Sequence, residues 1–360
     1  MNNPSEHKPL TLADVGEFAL VQQILLPTVV VSDIASPLGD DCVYVHLPSE
    51  PNDLVVTSDV APRPLAWHLG HESYRTWGWY AVVINLSDLA AAGATPLVIT
   101  TSVEAPGNMI VDDFREFFEG MAEACQEYGI ANGGGNVREA PKFACHVTAI
   151  GVTPTNVQLR RNGAHPGDLI VSVGECGRFA NAYVIAKNHG FDSLSPDEKT
   201  QLCRPRARVN EMQILHGNGL VNAASDNSDG VLGTLWNIAE ASKCTIELDM
   251  SPENLPEYVT EVASEFGYNP WNLLFFWGDW QVVVSVPSAR SDDFWRVAKE
   301  HSIPVQHLGR VCEGPPKLMG LSEGRRRKLK LLRNENFSKS SFNKNVTEHV
   351  EYMLRSQLCL

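Results

Sequence analysis

Six aspartates in this chain stand where a carboxylate can do chemistry. Asp40 and Asp41 follow Gly39 in a turn, Asp59 closes the step Thr57-Ser58-Asp59, and Asp226 and Asp229 bracket Asp226-Asn227-Ser228-Asp229-Gly230. The sixth, Asp88, lies between Leu86 and the apolar run Leu89–Ala92. An ionised carboxylate in such surroundings needs a compensating partner, because burying an unpaired charge costs more than its packing returns. For Asp88 the partner is either backbone N–H at a helix start, with Asn85, Ser87 or Asp88 as the cap, or a metal ion. Asp226 and Asp229 likewise read either as a clasp for one cation or as a doubly capped helix start. Oxygen ligands in this number, with no Cys/His grouping, suit a hard cation such as Mg²⁺.

A second feature bears on anions. In Asn132-Gly133-Gly134-Gly135-Asn136-Val137-Arg138 the consecutive glycines let backbone N–H groups converge on an anion, and Arg138 adds charge-assisted contacts. The alternative is a flexible loop. Metal ions, anion-binding amides and nearby arginines are what phosphoryl transfer uses, since its work is positioning and neutralising charge on phosphate oxygens. Together these features read as an ATP–Mg²⁺ site.

The elements that must position these residues follow from periodicity. Phe18, Leu20, Val21, Ile24 and Leu25 recur at helical spacing, predicting an amphipathic helix over 12–26 that Pro27 ends. Strands are predicted at 42–47 and 54–57. The segment 80–96 reads as a buried strand at Val82–Ile84 running into a small helix that stops at Gly93, with Pro96 beyond. A strand at 97–103, an amphipathic helix at 112–128 and a strand at 143–151 complete the first half. In the second half strands are expected at 169–173, 220–224, 245–248 and 305–311, with a strand pair at 273–287. Helices are expected at 180–187, 205–217, 230–242 and 291–301. The expected division is an N-terminal nucleotide- and metal-binding domain at 1–153, a C-terminal α/β domain at 154–315 and a basic, polar tail at 316–360 that ends in a short helix at 346–358.

Composition narrows the function classes. A net charge of −14 argues against a general nucleic-acid binder, and any anionic substrate must be drawn in by local cations or metals. No apolar run approaches the ~20 residues that span a bilayer, and the N-terminus has no charged-then-apolar signal pattern. The eight cysteines are scattered with no C-x-x-C pair, which fits ordinary core thiols in a reducing compartment. The expectation is a cytoplasmic protein with a small-molecule acceptor and neither a nucleic-acid nor a membrane partner.

The ordered series Gly16–Leu20, Gly39–Cys42, Thr57–Asp59, Asn85–Pro96, Gly134–Arg138, Arg160–Asp168 and Asp226–Gly230 resembles thiamine-monophosphate kinase. That enzyme belongs to the superfamily of aminoimidazole-ribonucleotide synthetase, selenophosphate synthetase and hydrogenase-maturation proteins. The resemblance implies two α/β domains, the first pairing its sheet with that of a second subunit in a homodimer. It implies that Asp40, Asp41, Thr57, Ser58, Asp59, Asp88, Asp226 and Asp229 hold Mg²⁺. It further implies that Gly134, Gly135, Asn136, Arg138, Arg161 and Ser228 touch ATP, with Arg161 and Asp229 at the reacting end.

Three departures stand beside it. Where the kinases have G-G-D-T this chain has Gly134-Gly135-Asn136-Val137, so one expected metal carboxylate is an amide. Where they have G-G-E-D-Y-E-L it has Phe276-Trp277-Gly278-Asp279-Trp280-Gln281-Val282, without the first acidic residue. The segment Val60–His68 replaces T-L-V-x-G-x-H-F. The nucleotide half is mostly kept and the acceptor half rewritten, which points to an acceptor other than thiamine monophosphate. Trp67, His68, His71, Trp277 and Trp280 are candidates for its pocket, with core aromatics as the alternative. Besides a kinase, an ATP-dependent C–N ligase or cyclase and a non-catalytic nucleotide-binding protein are compatible with the same residues.

Overall fold

The computed structural model describes residues 11–28, 34–36, 39–337 and 345–359. Two sheets organise them. The first is built from β1 (Val43–Val45), β2 (Asn52–Val60), β3 (Thr95–Ala105), β4 (Ala131–Glu139) and β5 (Ala144–Pro154), in the order β1-β2-β5-β3-β4. All its pairs are antiparallel except β3–β4. Alternation along β2 and β5 buries Val55, Thr57, Cys145, Val147 and Ala149 toward two helices, α1 (Tyr74–Ala91) and α2 (Val111–Tyr128). The opposite face leaves Ser58, Thr100, Ser102 and His146 exposed.

Helix α1 corrects the expected strand at Val82–Ile84. It runs unbroken from the cap at Ser73, whose hydroxyl accepts from the Thr76 N–H at 3.2 Å. It ends at Gly93, where φ is 62° and the N–H groups of Gly93 and Ala94 return to the carbonyls of Ala90 and Leu89. The apolar residues on α1 are buried nearly all round, since one side meets the sheet and another meets the strands Ala223–Asp226 and Val282–Val286 of the second sheet. A helix hydrophobic on every side has no amphipathic stripe, and its β-branched run then mimics a strand.

Helices α1 and α2 cross backbone to backbone. A Cβ on Gly78 would lie 1.8 Å from the Phe117 carbonyl oxygen, and one on Gly120 would lie 1.9 Å from that of Arg75. Gly78→Ala is therefore expected to force the helices apart and to cost roughly 1–3 kcal/mol or more. Urea unfolding that matched the wild type would show that the crossing has slack.

The second sheet holds β6 (Leu169–Val173), β7 (Ala223–Asp226), β8 (Thr245–Asp249), β9 (Val282–Val286), β10 (Val305–Cys312), β11 (Lys317–Ser322) and β12 (Arg325–Lys328). Its order is β12-β11-β8-β10-β6-β9-β7. Helices α3 (Arg178–His189), α4 (Pro196–Cys203), α5 (Val209–Gly217), α6 (Val231–Ser242), α7 (Glu257–Phe266), α8 (Ser291–Glu300) and α9 (Val346–Arg355) accompany it.

Several expectations shift. The predicted strand pair at 273–287 has only β9 as a strand. Residues Pro270–Leu274 form a helical turn, and the loop through Trp277–Trp280 reverses with Trp280 at φ 50°. The glycine run is no loop but β4, an edge strand exposed along its whole length. The chain beyond Pro316 supplies two strands to the second sheet before α9 docks. The N-terminal segment is helical as expected but interrupted at Gly16, and from Glu17 it runs through a π-helical stretch at Val21–Leu25 and past Pro27 to Thr28, with Ile24 and Leu25 exposed.

Candidate active site

The two sheets bring four separate turns of chain to one place. Asp41 comes from the turn before β1, Thr57 from β2, Asp88 from the last turn of α1, and Asp226 from the end of β7. One carboxylate oxygen each from Asp41, Asp88 and Asp226 lie within 4.8 Å of one another. Asp88 is thus neither at a strand end nor at a helix start, as the sequence suggested. Its Oδ2 accepts from the Thr57 hydroxyl at 2.6 Å. The Ser87 hydroxyl donates to Asp226 Oδ2 at 3.1 Å and that of Ser225 to Asp41 Oδ1 at 3.2 Å.

Arg160 and Arg161 are spoken for by the first carboxylate pair. Arg161 donates its guanidinium to Asp41 and, at 3.3 Å, to the Gly39 carbonyl, while its backbone N–H reaches Asp40 at 3.0 Å. Arg160 pairs with the other Asp40 oxygen at 3.0 Å. Burial works against the charge of Arg161, but Asp41, Asp226 and Asp40 outweigh it and hold the side chain cationic.

Asp88 and Asp226 are left facing each other. Burial, then mutual repulsion among Asp226, Asp59 and Asp41, pushes the Asp88 carboxyl well above the usual carboxylate range. Burial and Asp41 do the same to Asp226, with Arg161 pulling back. Asp229 is pushed up to about 7 by burial and Glu17, and Asp59 is raised by burial, Asp41 and Glu17. Converging oxygens that cannot all ionise without a counter-charge fit a hard divalent cation, for which carboxylates are the natural donors.

This cluster lines a cavity of about 750 Å³. Asp40, Asp41, Thr57, Ser58, Asp59, Asp88, Arg161, Asp226, Ser228 and Asp229 all line it, as do Trp277 and Trp280 from the acceptor candidates. Gly134, Gly135, Asn136 and Arg138 do not, being on the exposed edge strand. Nor do Trp67, His68 and His71. Trp67 packs edge-on to Tyr74 at 5.1 Å beneath Arg63, His71 stacks on Phe191 at 4.5 Å, and His68 is exposed.

Comparison with known proteins places this geometry. Residues 39–153 match the AIR synthase related protein N-terminal domain, and residues 165–319 match the corresponding C-terminal domain. The thiamine-monophosphate kinase of Corynebacterium glutamicum is 28% identical over 284 residues, 76% of this chain and 82% of that protein. That of Pyrococcus abyssi is 31% identical over 231 residues, 63% of this chain and 71% of that one. The chain belongs to the thiamine-monophosphate kinase family. The fold agrees: AaThiL complexed with AMPPCP and TMP superposes with a TM-score of 0.75 at 24% identity, covering 91% of this chain and 99% of the other.

Of the three departures from the kinase pattern, Trp277, Gly278 and Trp280 reach the cavity, as do Val60, Pro62, Arg63, Pro64 and Leu65, and Asn136 does not. Asp279, the acidic residue retained in the rewritten loop, accepts from the N–H groups of Gly177 and Phe179, both at 2.7 Å. Both its oxygens are thereby committed to the start of α3, and it does not line the cavity. Trp277 and Trp280 do, with Tyr80 edge-on to Trp280 at 5.6 Å. The buried Trp280 Nε1 has no hydrogen-bond partner among the described residues.

Among the lining residues that escaped the sequence reading as site groups are Tyr80, Arg63, Glu17, Asn334 and Asn336. Glu17 was visible only as part of the Gly16–Leu20 motif. Asn334 and Asn336 carried no signal, because they enter through backbone: the Asn334 N–H donates to the Asp229 carbonyl at 2.9 Å and that of Asn336 to Glu17 Oε2 at 2.8 Å.

Proposed function

We propose that this family member transfers the γ-phosphoryl group of Mg²⁺-bound ATP to a small-molecule acceptor other than thiamine monophosphate. The observation that carries the reading is the convergence of Asp41, Asp88 and Asp226 beside the half-buried Arg161. Asp41, Asp88 and Asp226 would hold Mg²⁺, with Asp40, Thr57, Ser58, Asp59 and Asp229 around them; when bound, the metal neutralises and orients phosphate oxygens. Arg161 is held by Asp40 and Asp41 with its charge intact, which keeps a cation ready for the transferred group. Ser228 and Asp229 add polar groups to the same cavity wall.

Asp279, the acidic residue kept in the rewritten loop, is not free to face a cationic ring, since it caps α3. Trp277, Trp280 and Tyr80 offer apolar walls that exclude water, and Trp280 Nε1 offers one donor. These groups select an uncharged planar acceptor with a hydrogen-bond acceptor of its own.

Homodimerisation belongs to the same reading. Supporting it are the open face of the first sheet and the unpaired edge β4, which carries Gly134, Gly135, Asn136 and Arg138 to the surface that a second subunit would meet. A monomer in analytical ultracentrifugation would remove this part. No helix among the described residues is long and apolar enough to cross a membrane, and the proposed setting is cytoplasmic.

Calorimetry with a non-hydrolysable ATP analogue, with and without Mg²⁺ and then with thiamine monophosphate, tests the proposal. Mg²⁺-dependent nucleotide binding without thiamine-phosphate binding is the expected result. Binding of thiamine monophosphate would overturn the acceptor assignment, and no nucleotide binding would overturn the kinase. Inorganic phosphate released alongside a new C–N bond would make the protein a ligase.

A further inference from the structure

A second cavity of about 480 Å³ opens among α3, α4 and α7 and shares no lining residue with the first. Its wall carries Glu175, Asp197, Glu198, Glu261 and Glu265 against a single cation, Arg178. Three of these carboxylates have partners. Glu175 pairs with Arg178 at 2.8 Å, Glu198 accepts from the Ser195 N–H at 2.7 Å, and Glu265 lies 3.4 Å from His189 Nε2. Arg178 is further engaged over the Tyr258 ring at 3.8 Å. Asp197 and Glu261 have no hydrogen bond or ion pair among the described residues.

A cluster of acids alone says little, but the wall also holds a buried orphan. Asn181 is only 6% exposed, and its amide nitrogen donates to the Tyr258 carbonyl at 2.6 Å. Its Oδ1 has no donor among the described residues. A buried acceptor without a partner is uncommon in a folded protein and calls for a donor from outside the chain. The unspent groups with a fixed polarity, Asp197, Glu261 and Asn181 Oδ1, are all acceptors, so the complementary ligand is cationic and rich in N–H.

The spacing decides which kind of cation. Among the described residues the one group of three or more metal-competent side chains that converges within 4.8 Å is Asp41, Asp88 and Asp226. The acids of the second cavity are therefore spread out and do not form a cage for a metal ion. Ile185 and Val262 lie among them and provide apolar surface for methylene groups. The volume falls in the range of small-molecule sites.

We propose that this cavity binds an aliphatic polyamine, its ammonium groups meeting Asp197 and Glu261, one N–H reaching Asn181 Oδ1, and its methylenes lying on Ile185 and Val262. Isothermal titration of the full chain with spermidine tests it. One saturable site is expected, weakened at least tenfold in the double variant Asp197→Asn/Glu261→Gln. It should be unaltered in Glu50→Gln/Glu313→Gln, which removes the same charge from exposed positions elsewhere. Asn181→Ala should also weaken it; if that variant fails to fold, the exposed carboxylate pair still decides. Equal loss in both double variants would reduce the binding to diffuse attraction by an acidic protein, and absence of saturation would overturn the site. Mg²⁺ binding that is lost only in Asp197→Asn/Glu261→Gln would replace the amine with a metal. Titrating the same variants with the ATP analogue and Mg²⁺ should give wild-type affinity, since the first cavity is untouched.

Discussion

Asp88→Asn is expected to lower Mg²⁺-dependent nucleotide binding and turnover by on the order of 100-fold or more while making the metal-free protein more stable. Loss of binding follows from removing one of the three converging carboxylates, an effect larger than the 10–100-fold typical of groups that merely orient a ligand. The gain in stability follows from electrostatics: the neutral amide keeps an acceptor for the Thr57 hydroxyl but removes a charge that Asp226, Asp59 and Asp41 oppose. The same repulsion sets a pH dependence. A carboxyl whose folded-state pKa is raised binds its proton more tightly folded than unfolded, so its contribution is full below the unfolded value and lost as pH rises through the folded one. For Asp229 that window runs from the ordinary aspartate value of 3.8 up to about 7. Within it each such group lowers metal-free stability by up to roughly 1.4 kcal/mol per pH unit. Mg²⁺ requires the ionised forms, so its binding should release protons, strengthen with pH and flatten the stability profile. Melting curves across pH with and without Mg²⁺, and calorimetry in buffers of different ionisation enthalpy, read all three effects. An Asp88→Asn protein that melts lower than wild type without metal, or binds nucleotide equally well with it, would show that Asp88 serves the fold and not the site.

How much of this was legible from residues differs between the metal end and the acceptor end. Asp40, Asp41, Asp59, Asp88, Asp226 and Asp229 were visible because polar-acidic steps beside apolar runs are conspicuous, and the cavity gathers them all. The local structure around Asp88 was misread for a physical reason. Periodicity reports one buried face, and α1 is buried on nearly every side, so its Val82–Ile84 run looked like a strand. The glycine run was misread in the opposite sense. Gly135 is needed because a Cβ there would lie 1.8 Å from the Thr101 carbonyl oxygen, which is close strand packing and not a loop's freedom. At the acceptor end Trp67 and Trp277 look alike in sequence. Only the fold shows that Trp67 packs against Tyr74 and Trp77 outside the cavity, while Trp277 lines it. Asn334 and Asn336 were beyond reach altogether, since backbone N–H groups that dock across more than a hundred residues leave no mark in side-chain type.

Arg161→Ala carries the second large expected effect, and it separates two roles that one residue combines. Asp41 is half-buried with its side chain almost wholly so, and Arg161 is its charge partner. Removing one member of a buried ion pair leaves the other uncompensated, at a cost of about 3–5 kcal/mol. Mg²⁺ placed by Asp41, Asp88 and Asp226 would supply the missing counter-charge, so most of that loss should disappear in metal. Catalysis should not recover with it, because a cation poised at the transferred phosphoryl group is worth on the order of 10³ in rate. Arg161→Lys sharpens the distinction. An ammonium can neutralise Asp41 but cannot also span to the Gly39 carbonyl in the fixed fork of a guanidinium. Near-native stability with slow phosphoryl transfer is therefore expected of the lysine variant. Urea unfolding with and without Mg²⁺, set beside single-turnover transfer once an acceptor is in hand, gives both readouts. Full activity in Arg161→Lys would mean that charge alone is required, and wild-type stability in metal-free Arg161→Ala would mean that the pair with Asp41 does not hold the two strands of chain together.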